Sequence, residues 1–187
     1  DPDTNLYIAE GNVEITQGTR VLSSDRATYN KGTKDARAEG RVTLIQDGDI
    51  VSSEALEINM DSKKGIIRHG KVFQRTGNFY LTGDEIEKVG DEDYRIKRGR
   101  FTTCDGPSPS WSFSATTASV TLWEYASAWN TVFYIKGVPA FYLPYMIMPI
   151  KKEKQSGLLI PRVSLSDKNG FEIDNSFFWA ISKNTDA

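Results

Sequence analysis

The chain has 187 residues, of which 39% are hydrophobic and 26% are charged, a balance typical of a globular protein with a real core. Its formal net charge of −2 argues against a nucleic-acid binder that depends on attraction to phosphates. No apolar run is long enough for a transmembrane helix, and the polar start at Asp1 is what we expect of a mature secreted protein.

Two short motifs recur in phase along the first hundred residues, at steps of 29 or 30 residues. The first motif is a glycine followed by alternating apolar residues, and it begins at Gly11, Gly40, Gly70 and Gly99. The second motif is an apolar residue, two small residues and an acid, and it occupies Leu22–Asp25, Val51–Glu54 and Leu81–Asp84. Two interleaved motifs with one period indicate a small structural unit that is stacked along an axis.

Each unit contains two strand-like runs. The alternation of Val13 and Ile15, repeated by Val42 and Leu44, indicates a strand with one buried face. In the second run the parity slips by one residue beside a small residue and an acid, which predicts a β-bulge or a corner in every unit. We expect the acid at each bend to face water or to bind free backbone donors there.

Turn-forming residues separate these runs, for example at Asn30–Gly32 and Asp47–Asp49, and nothing before residue 105 has a helical pattern. We therefore predict an all-β fold of stacked two-strand repeats, either a β-solenoid or an elongated, folded-over sheet. The alternative is a compact sandwich, which would not require a fixed repeat length.

The composition changes after Cys104, where a turn-rich segment runs to Ser110. All 4 tryptophans follow it. Ser112 and Ser114 still keep the repeat distance from Thr82 and Asp84, so a degraded unit is expected to continue. Three prolines within 139–149 exclude both a helix and a central strand there, so we expect an extended aromatic segment that closes the stack.

Several of these segments resemble the LptD family of outer-membrane lipopolysaccharide-assembly proteins, also called the OstA family. Ala9–Val13 and Ala38–Val42 are similar to the OstA-type β-jellyroll repeat, which several lipopolysaccharide transport proteins share. Gly137–Pro149 and Ser156–Pro161 are similar to the junction between the periplasmic domain and the β-barrel of that family. The resemblance covers nearly the whole chain, although the family's barrel is far longer.

The resemblance implies three regions. Residues 1–136 would form a periplasmic β-jellyroll, with repeats near 9–37, 38–67, 68–97 and 98–136. Residues 137–161 would be an aromatic, proline-rich linker to the barrel, and residues 162–187 would be the start of a truncated outer-membrane β-barrel.

The resemblance also implies a function. The domain would bind lipopolysaccharide in an apolar groove and pass it from a periplasmic bridge to the outer-membrane barrel, for insertion in the outer leaflet, without enzymatic chemistry or a cofactor. The groove is predicted to be lined by inward-facing residues, namely Val13, Ile15, Leu22, Ala27, Tyr29, Val42, Leu44, Val51, Leu56, Ile58, Val72, Leu81, Ile86, Phe113 and Phe133. The alternative is that these residues fill a closed core.

The resemblance implies two protein partners and no nucleic acid. A bridge protein of the same jellyroll type would pair with the N-terminal edge strand, which we place at Leu6, Tyr7, Ile8 and Ala9. A plug lipoprotein of the outer membrane would bind through the barrel. This portion of the protein would face the periplasm.

Other candidate sites have simpler interpretations. His69 is the only histidine, so we predict an exposed turn residue and no metal site. Lys151, Lys152 and Lys154 would either meet lipid phosphates or form a solvated linker. Cys104 is the only cysteine, so it would be either a buried thiol or bonded to a cysteine outside this chain, and the family's disulfides favour the bond.

Three other functions remain open from the residues. The first is a soluble periplasmic bridge protein of the same repeat type, which would leave the segment Tyr142–Pro161 unexplained. The second is a β-helix or jellyroll enzyme acting on polysaccharide, which needs a cluster of acids on one face. The third is a purely structural assembly domain.

Overall fold

The computed structural model describes residues 5–106, 108–122 and 124–149, and beyond them short strands between residues 157 and 186. Ten antiparallel strands, each hydrogen-bonded to the next in chain order, form one sheet. These strands are β1 (Leu6–Gln17), β2 (Arg20–Asn30), β3 (Asp35–Gln46), β4 (Asp49–Asn59), β5 (Gly65–Gln74), β6 (Phe79–Lys88), β7 (Asp93–Thr102), β8 (Trp111–Thr121), β9 (Tyr125–Ile135) and β10 (Val138–Pro149). The predicted all-β fold of stacked two-strand repeats is confirmed.

Six shorter strands follow. They are β11 (Gly157–Leu158), β12 (Arg162–Ser166), β13 (Gly170–Asp174), β14 (Phe177–Phe178), β15 (Ala180–Ser182) and β16 (Thr185–Asp186). They pair two by two, as β11 with β14, β12 with β13 and β15 with β16. The predicted basic segment at Lys151, Lys152 and Lys154 lies outside the described residues, and the predicted domain boundaries stay predictions.

Several neighbouring strands of the large sheet are joined by tight turns whose chemistry is visible in the sequence. Asp47 and Gly48 both have positive φ, as do Lys136 and Gly137, and these pairs form two-residue hairpin turns. The Asn30 side chain accepts hydrogen bonds from the backbone N–H groups of Gly32 and Thr33. Such local turns favour up-and-down pairing of consecutive strands over a long crossover.

A bend crosses the middle of the strands. On β3 both Gly40 and Arg41 have left-handed φ, and the register with β4 shifts between Glu39 and Val42. On the other odd-numbered strands the left-handed non-glycine residues at the corresponding place are Asn12, His69, Arg98 and Asn130. This bend, which we call the crease, divides the sheet into two arms. It confirms the bend predicted in every unit, but the bulged residues lie in the glycine motif of the odd strands and not beside the acids.

The two arms are built from opposite halves of neighbouring strands. Arm 1 contains the first half of each odd strand and the second half of each even strand, as in the pairing of Ala38 with Leu56. Arm 2 contains the remaining halves, as in the pairing of Leu44 with Val51. Substantial contacts join only neighbouring strands of the large sheet within the described residues, so the sheet is open, with β1 at one edge and β10 at the other.

Candidate functional site

One row of directly paired residues runs across all ten strands in arm 2. Every member is apolar: Ile15, Leu22, Leu44, Val51, Val72, Leu81, Phe101, Phe113, Phe133 and Phe141. Residues that pair directly across an antiparallel sheet lie on the same face. This arm-2 row is therefore an unbroken apolar stripe that runs the length of the sheet.

A second apolar row crosses the ten strands in arm 1. Its members are Ala9, Ala27, Ala38, Leu56, Ile67, Ile86, Ile96, Ala118, Ala128 and Met146. Two residues further from the bend on each strand lies a third row on the same face, the rim row, which contains Tyr7, Tyr29, Ala36, Ile58, Gly65, Lys88, Tyr94, Val120, Ala126 and Met148.

Glycines at the crease show that the arm-1 and arm-2 rows share one face. A Cβ added to Gly83 would lie 3.0 Å from Cγ1 of Ile86 and 3.0 Å from Cγ2 of Ile96, both in the arm-1 row. Gly83 lies two residues from Leu81, so the two point to the same side of β6. Gly83 is on the same face as the arm-2 row, and the side chains of Ile86 and Ile96 lie over it. The arm-1 and arm-2 rows therefore both line the inside of the crease.

This inner face has no second layer of protein on it among the described residues. The buried apolar residues are mostly small and lie close to the crease: Ala27, Ala38, Val42, Ala55, Ile86, Ile96 and Ala128. Val42 is the largest side chain that is fully buried. Leu22, Leu44, Val51, Val72 and Leu81 all remain partly exposed. Within the described residues the sheet thus forms an open apolar groove and not a closed core.

The predicted inward residues all lie in this groove. Eight belong to the arm-2 row: Ile15, Leu22, Leu44, Val51, Val72, Leu81, Phe113 and Phe133. Ala27, Leu56 and Ile86 belong to the arm-1 row. Tyr29 and Ile58 belong to the rim row, and Val13 and Val42 lie at the crease. Their role in binding a lipid stays a prediction.

Several groove residues were missed by the sequence reasoning. Ile67 and Ile96 each precede a motif glycine by three residues, and their spacing of 29 is itself a repeat signal. Phe101 occupies the apolar position of the fourth glycine motif. Phe141 and Met146 lie in the proline-containing stretch beyond the clear repeat, so only the pairing of β10 with β9 places them in the rows.

On β1 to β7 the opposite, convex face is charged in arm 1, whereas in arm 2 it carries the apolar and aromatic row Ile45, Ile50, Phe73 and Tyr80. In arm 1 the residues that alternate with the groove residues include Glu10, Arg26, Glu39, Arg68, Glu85 and Lys97, which pair in a single row. Lys97 Nζ lies 2.7 Å from Glu85 Oε1, and this contact lowers the pKa of Glu85. Arg68 lies 3.6 Å from both Glu57 and Glu85. The charges compensate one another, so this face needs no ligand to neutralise it.

The acids of the repeat pair with bases at the crease. Asp25 binds Arg41 at 2.5 Å, Glu54 lies 2.9 Å from His69 Nδ1, and Asp84 binds Arg98 at 2.5 Å. We expected these acids to face water or to bind backbone donors. They are exposed, but each binds a basic side chain, and the predicted backbone bonding is wrong.

The location predicted for His69 is also wrong in part. It is exposed as expected, but it lies within β5 at the crease and not in a turn. None of the described His, Cys, Asp and Glu residues form a group of three or more that could hold a metal ion. The acids of the repeat are therefore parts of ion pairs along the bend.

A shallow cavity of about 580 Å³ lies at the turn end of arm 1, and most of its lining residues, such as Arg37 and Glu57, alternate with the rim row and so belong to the convex face. Ala36 and Ile58 of the rim row line it, together with the cationic side chains of Lys64 and Lys88. The Lys88 ammonium lies 5.8 Å from the centre of the Tyr94 ring. The carboxylates of Asp35, Glu57 and Glu87 line the same cavity, so its charges balance and it does not indicate an anionic ligand.

The remaining predicted sites lie at the periphery. Tyr7 and Ile8 of the edge strand β1 are 58% and 53% exposed. Cys104 is a partly buried free thiol in the segment between β7 and β8, and its backbone N–H donates to Oγ1 of Thr102 at 3.0 Å. Among the described residues, no helix is long and apolar enough to cross a bilayer.

Comparison with known proteins identifies what the chain resembles. Residues 1–94 match the family described as LptA/(LptD N-terminal domain) LPS transport protein, and residues 128–187 match the family described as LptD protein.

Curated relatives named LPS-assembly protein LptD align along almost the whole chain. The Photobacterium profundum protein is 35% identical over 181 residues, which are 94% of this chain and 23% of that protein. The Aeromonas hydrophila protein is 30% identical over 184 residues, covering 96% of this chain and 23% of the relative. The Bordetella pertussis protein is 26% identical over 187 residues, which are 100% of this chain and 24% of that protein. The chain thus spans about a quarter of the length of these relatives.

Proposed function

The chain belongs to the LptD family of LPS transport proteins, and we propose that its groove binds the acyl chains of lipopolysaccharide. The observation that carries this proposal is the open apolar face, in which two rows of ten residues are apolar at every position and have no protein layer over them. Burial of apolar surface contributes about 25 cal/mol per Å², so several acyl chains in such a groove have ample driving force without polar contacts.

In this proposal the lipid moves along the sheet, from strand to strand, toward the outer membrane. A bridge protein of the same jellyroll type pairs with the exposed edge of β1 and extends the groove at that end. The plug lipoprotein is reached through the barrel that follows this portion. The portion described here would face the periplasm, and its transport role needs no enzymatic chemistry, in keeping with the family.

The match of residues 128–187 favours this proposal over a soluble bridge protein of the same repeat type. The N-terminal match names both kinds of protein, whereas the C-terminal match names LptD alone. The polysaccharide-acting enzyme is disfavoured because Asp25 and Asp84 are held in ion pairs at the crease and Glu54 contacts His69.

Photocrosslinking to lipopolysaccharide tests the groove, with neighbouring residues as matched positions. A photoreactive side chain at Leu44 or Val51 points into the groove, whereas one at Thr43 or Ser52 sits on the same strands and points to the convex face. We expect lipid adducts from Leu44 and Val51 only. Equal labelling of all four positions, or labelling from Thr43 and Ser52 alone, would overturn the proposal.

For Cys104 we expect a disulfide with a cysteine of the longer protein. The thiol is partly accessible, and the segment that holds it is anchored by the hydrogen bonds of Thr102. Electrophoresis of the full-length protein without reductant, beside a Cys104→Ser variant, measures this. Identical mobility of the two proteins would count against the bond.

A further inference from the structure

The groove changes its chemistry along its length. From β1 to β6 the arm-2 row is aliphatic, and from β7 to β10 it consists of Phe101, Phe113, Phe133 and Phe141. The next positions outward add Phe79 and Trp111. We call these six residues the ring section.

The rings of this section form one continuous wall. Phe113 and Phe133 have centroids 4.7 Å apart, and Phe133 stacks on Phe141 at 4.8 Å. Trp111 lies 6.0 Å from Phe101 and 5.7 Å from Phe113. All six rings are partly exposed, so each packs on its neighbours and still presents surface to the groove.

The arm-1 row is small at two strands of the ring section, β8 and β9, as it also is at β1 to β3, where the arm-2 row is aliphatic. At β4 to β7 it consists of Leu56, Ile67, Ile86 and Ile96, and at β8 and β9 it consists of Ala118 and Ala128. Ala126 continues the small surface into the rim row. Because alanine leaves space where isoleucine fills it, the groove here has a flat wall of rings on one side of the crease and a recess on the other.

We propose that the ring section is a separate retention site for saturated acyl chains, which holds the lipid more tightly than the aliphatic section that precedes it. Ring faces offer a large rigid apolar area, and the alanine recess leaves room for a straight chain to lie against them. This inference rests on the proposed function. In this inference the affinity for lipid is not the same at every strand but increases toward β10.

A competition between two reporter positions in the full chain tests the inference. Diazirine side chains of similar size are placed at Leu44, in the aliphatic section, and at Met146, which continues the arm-1 row beside the ring section. The probe is purified lipopolysaccharide at less than one molecule per protein. We expect adduct formation at Met146 to exceed that at Leu44 by about three- to tenfold, the range for a few aromatic contacts.

Two variants separate ring chemistry from general packing. Phe113→Leu with Phe133→Leu keeps the row apolar but removes two rings, and Ala118→Phe keeps the rings but fills the recess. Both should bring the Met146 to Leu44 ratio to about one while the chain stays folded. Phe73→Leu is the control, because Phe73 stacks on Tyr80 at 4.8 Å outside the arm-2 row and should leave the ratio unchanged.

The outcomes distinguish the inference from the proposed function. Adducts at both positions with a ratio near one in the unmodified protein would overturn the retention site and leave the groove intact. A ratio of Met146 to Leu44 adducts that stays high both in the Phe113→Leu, Phe133→Leu variant and in the Ala118→Phe variant would also overturn it. Absence of adducts at either position would instead contradict lipid binding by the groove itself.

Discussion

The two faces of the large sheet are made by alternate residues of the same strands. They differ in whether their side chains find partners within the chain. On the convex face, ion pairs such as Lys97–Glu85 satisfy the charges within the chain. On the groove face, residues such as Val51 and Leu81 meet no second layer among the described residues. Charges that are compensated within the chain need no partner, whereas an uncovered apolar face of this length is what we expect of a binding surface.

The sharpest test of this difference places a carboxylate on each face in turn. Val51→Asp puts a charge in the arm-2 row, where a bound acyl chain would have to desolvate it, so we expect lipopolysaccharide affinity to fall by at least about tenfold. Ser52→Asp, one residue away on the convex face, should stay within about twofold of the parent. Binding of labelled lipopolysaccharide measures both variants, and equal losses would contradict the assignment of the faces.

The crease should dominate stability because it holds the only well-buried aliphatic side chains of the described residues. Ile96 is 2% exposed, so Ile96→Ala is expected to lower the free energy of unfolding by about 2–4 kcal/mol. Ile45 is 41% exposed, and Ile45→Ala should cost less than about 1 kcal/mol. Urea denaturation of both variants measures the difference, and a similar loss for the two would refute it.

The ion pairs of the convex face should contribute little individually. Arg68 contacts Glu57 and Glu85 at 3.6 Å while remaining about half exposed, so Arg68→Ala is expected to change the unfolding free energy by less than about 1 kcal/mol. The change should shrink further at about 1 M salt, where surface charges are screened. A large loss that persists in high salt would mean that Arg68 acts through packing.

The smallest expected effect is a titration at the crease. The Arg41 guanidinium, hydrogen-bonded to Asp25, lowers the pKa of that carboxyl group. A lowered pKa in the folded state means that the pair stabilises the fold at neutral pH and that this contribution is lost as the pH falls through the folded-state pKa. In Arg41→Met the pKa of Asp25 should rise toward its ordinary value, as measured by NMR titration.

Asp35 provides the internal reference for that titration. Its pKa is also lowered, but by hydrogen bonding to Asn59, whose Nδ2 lies 2.7 Å from Oδ1 of Asp35. The pKa of Asp35 should therefore be the same with and without Arg41. An equal shift at both carboxyl groups would indicate a general change in the fold and not the loss of one pair.

Much of this architecture could be predicted because the repeat carries both the strand and the bend. Val13 and Ile15 show the period of two, and the parity slip beside Asp25 marks the place where the sheet folds. The prediction of groove residues was least complete on β10, because only its pairing with β9 places Phe141 and Met146 in the apolar rows. The partners of the acids were also missed, because Asp25 and Arg41 are 16 residues apart and meet only through the register of β2 and β3.

The sequence by itself determined that the chain is all-β, that its units stack, and that one face of every unit is apolar, since these follow from local periodicity and turn chemistry. Only the tertiary structure decided that the apolar faces form an open groove and not a closed core. That outcome depends on how the arms fold at the crease and on the absence of a second layer over Leu44 or Val51 among the described residues. Local sequence carries no information on what covers a face, because covering is a contact between distant parts of a molecule or between molecules.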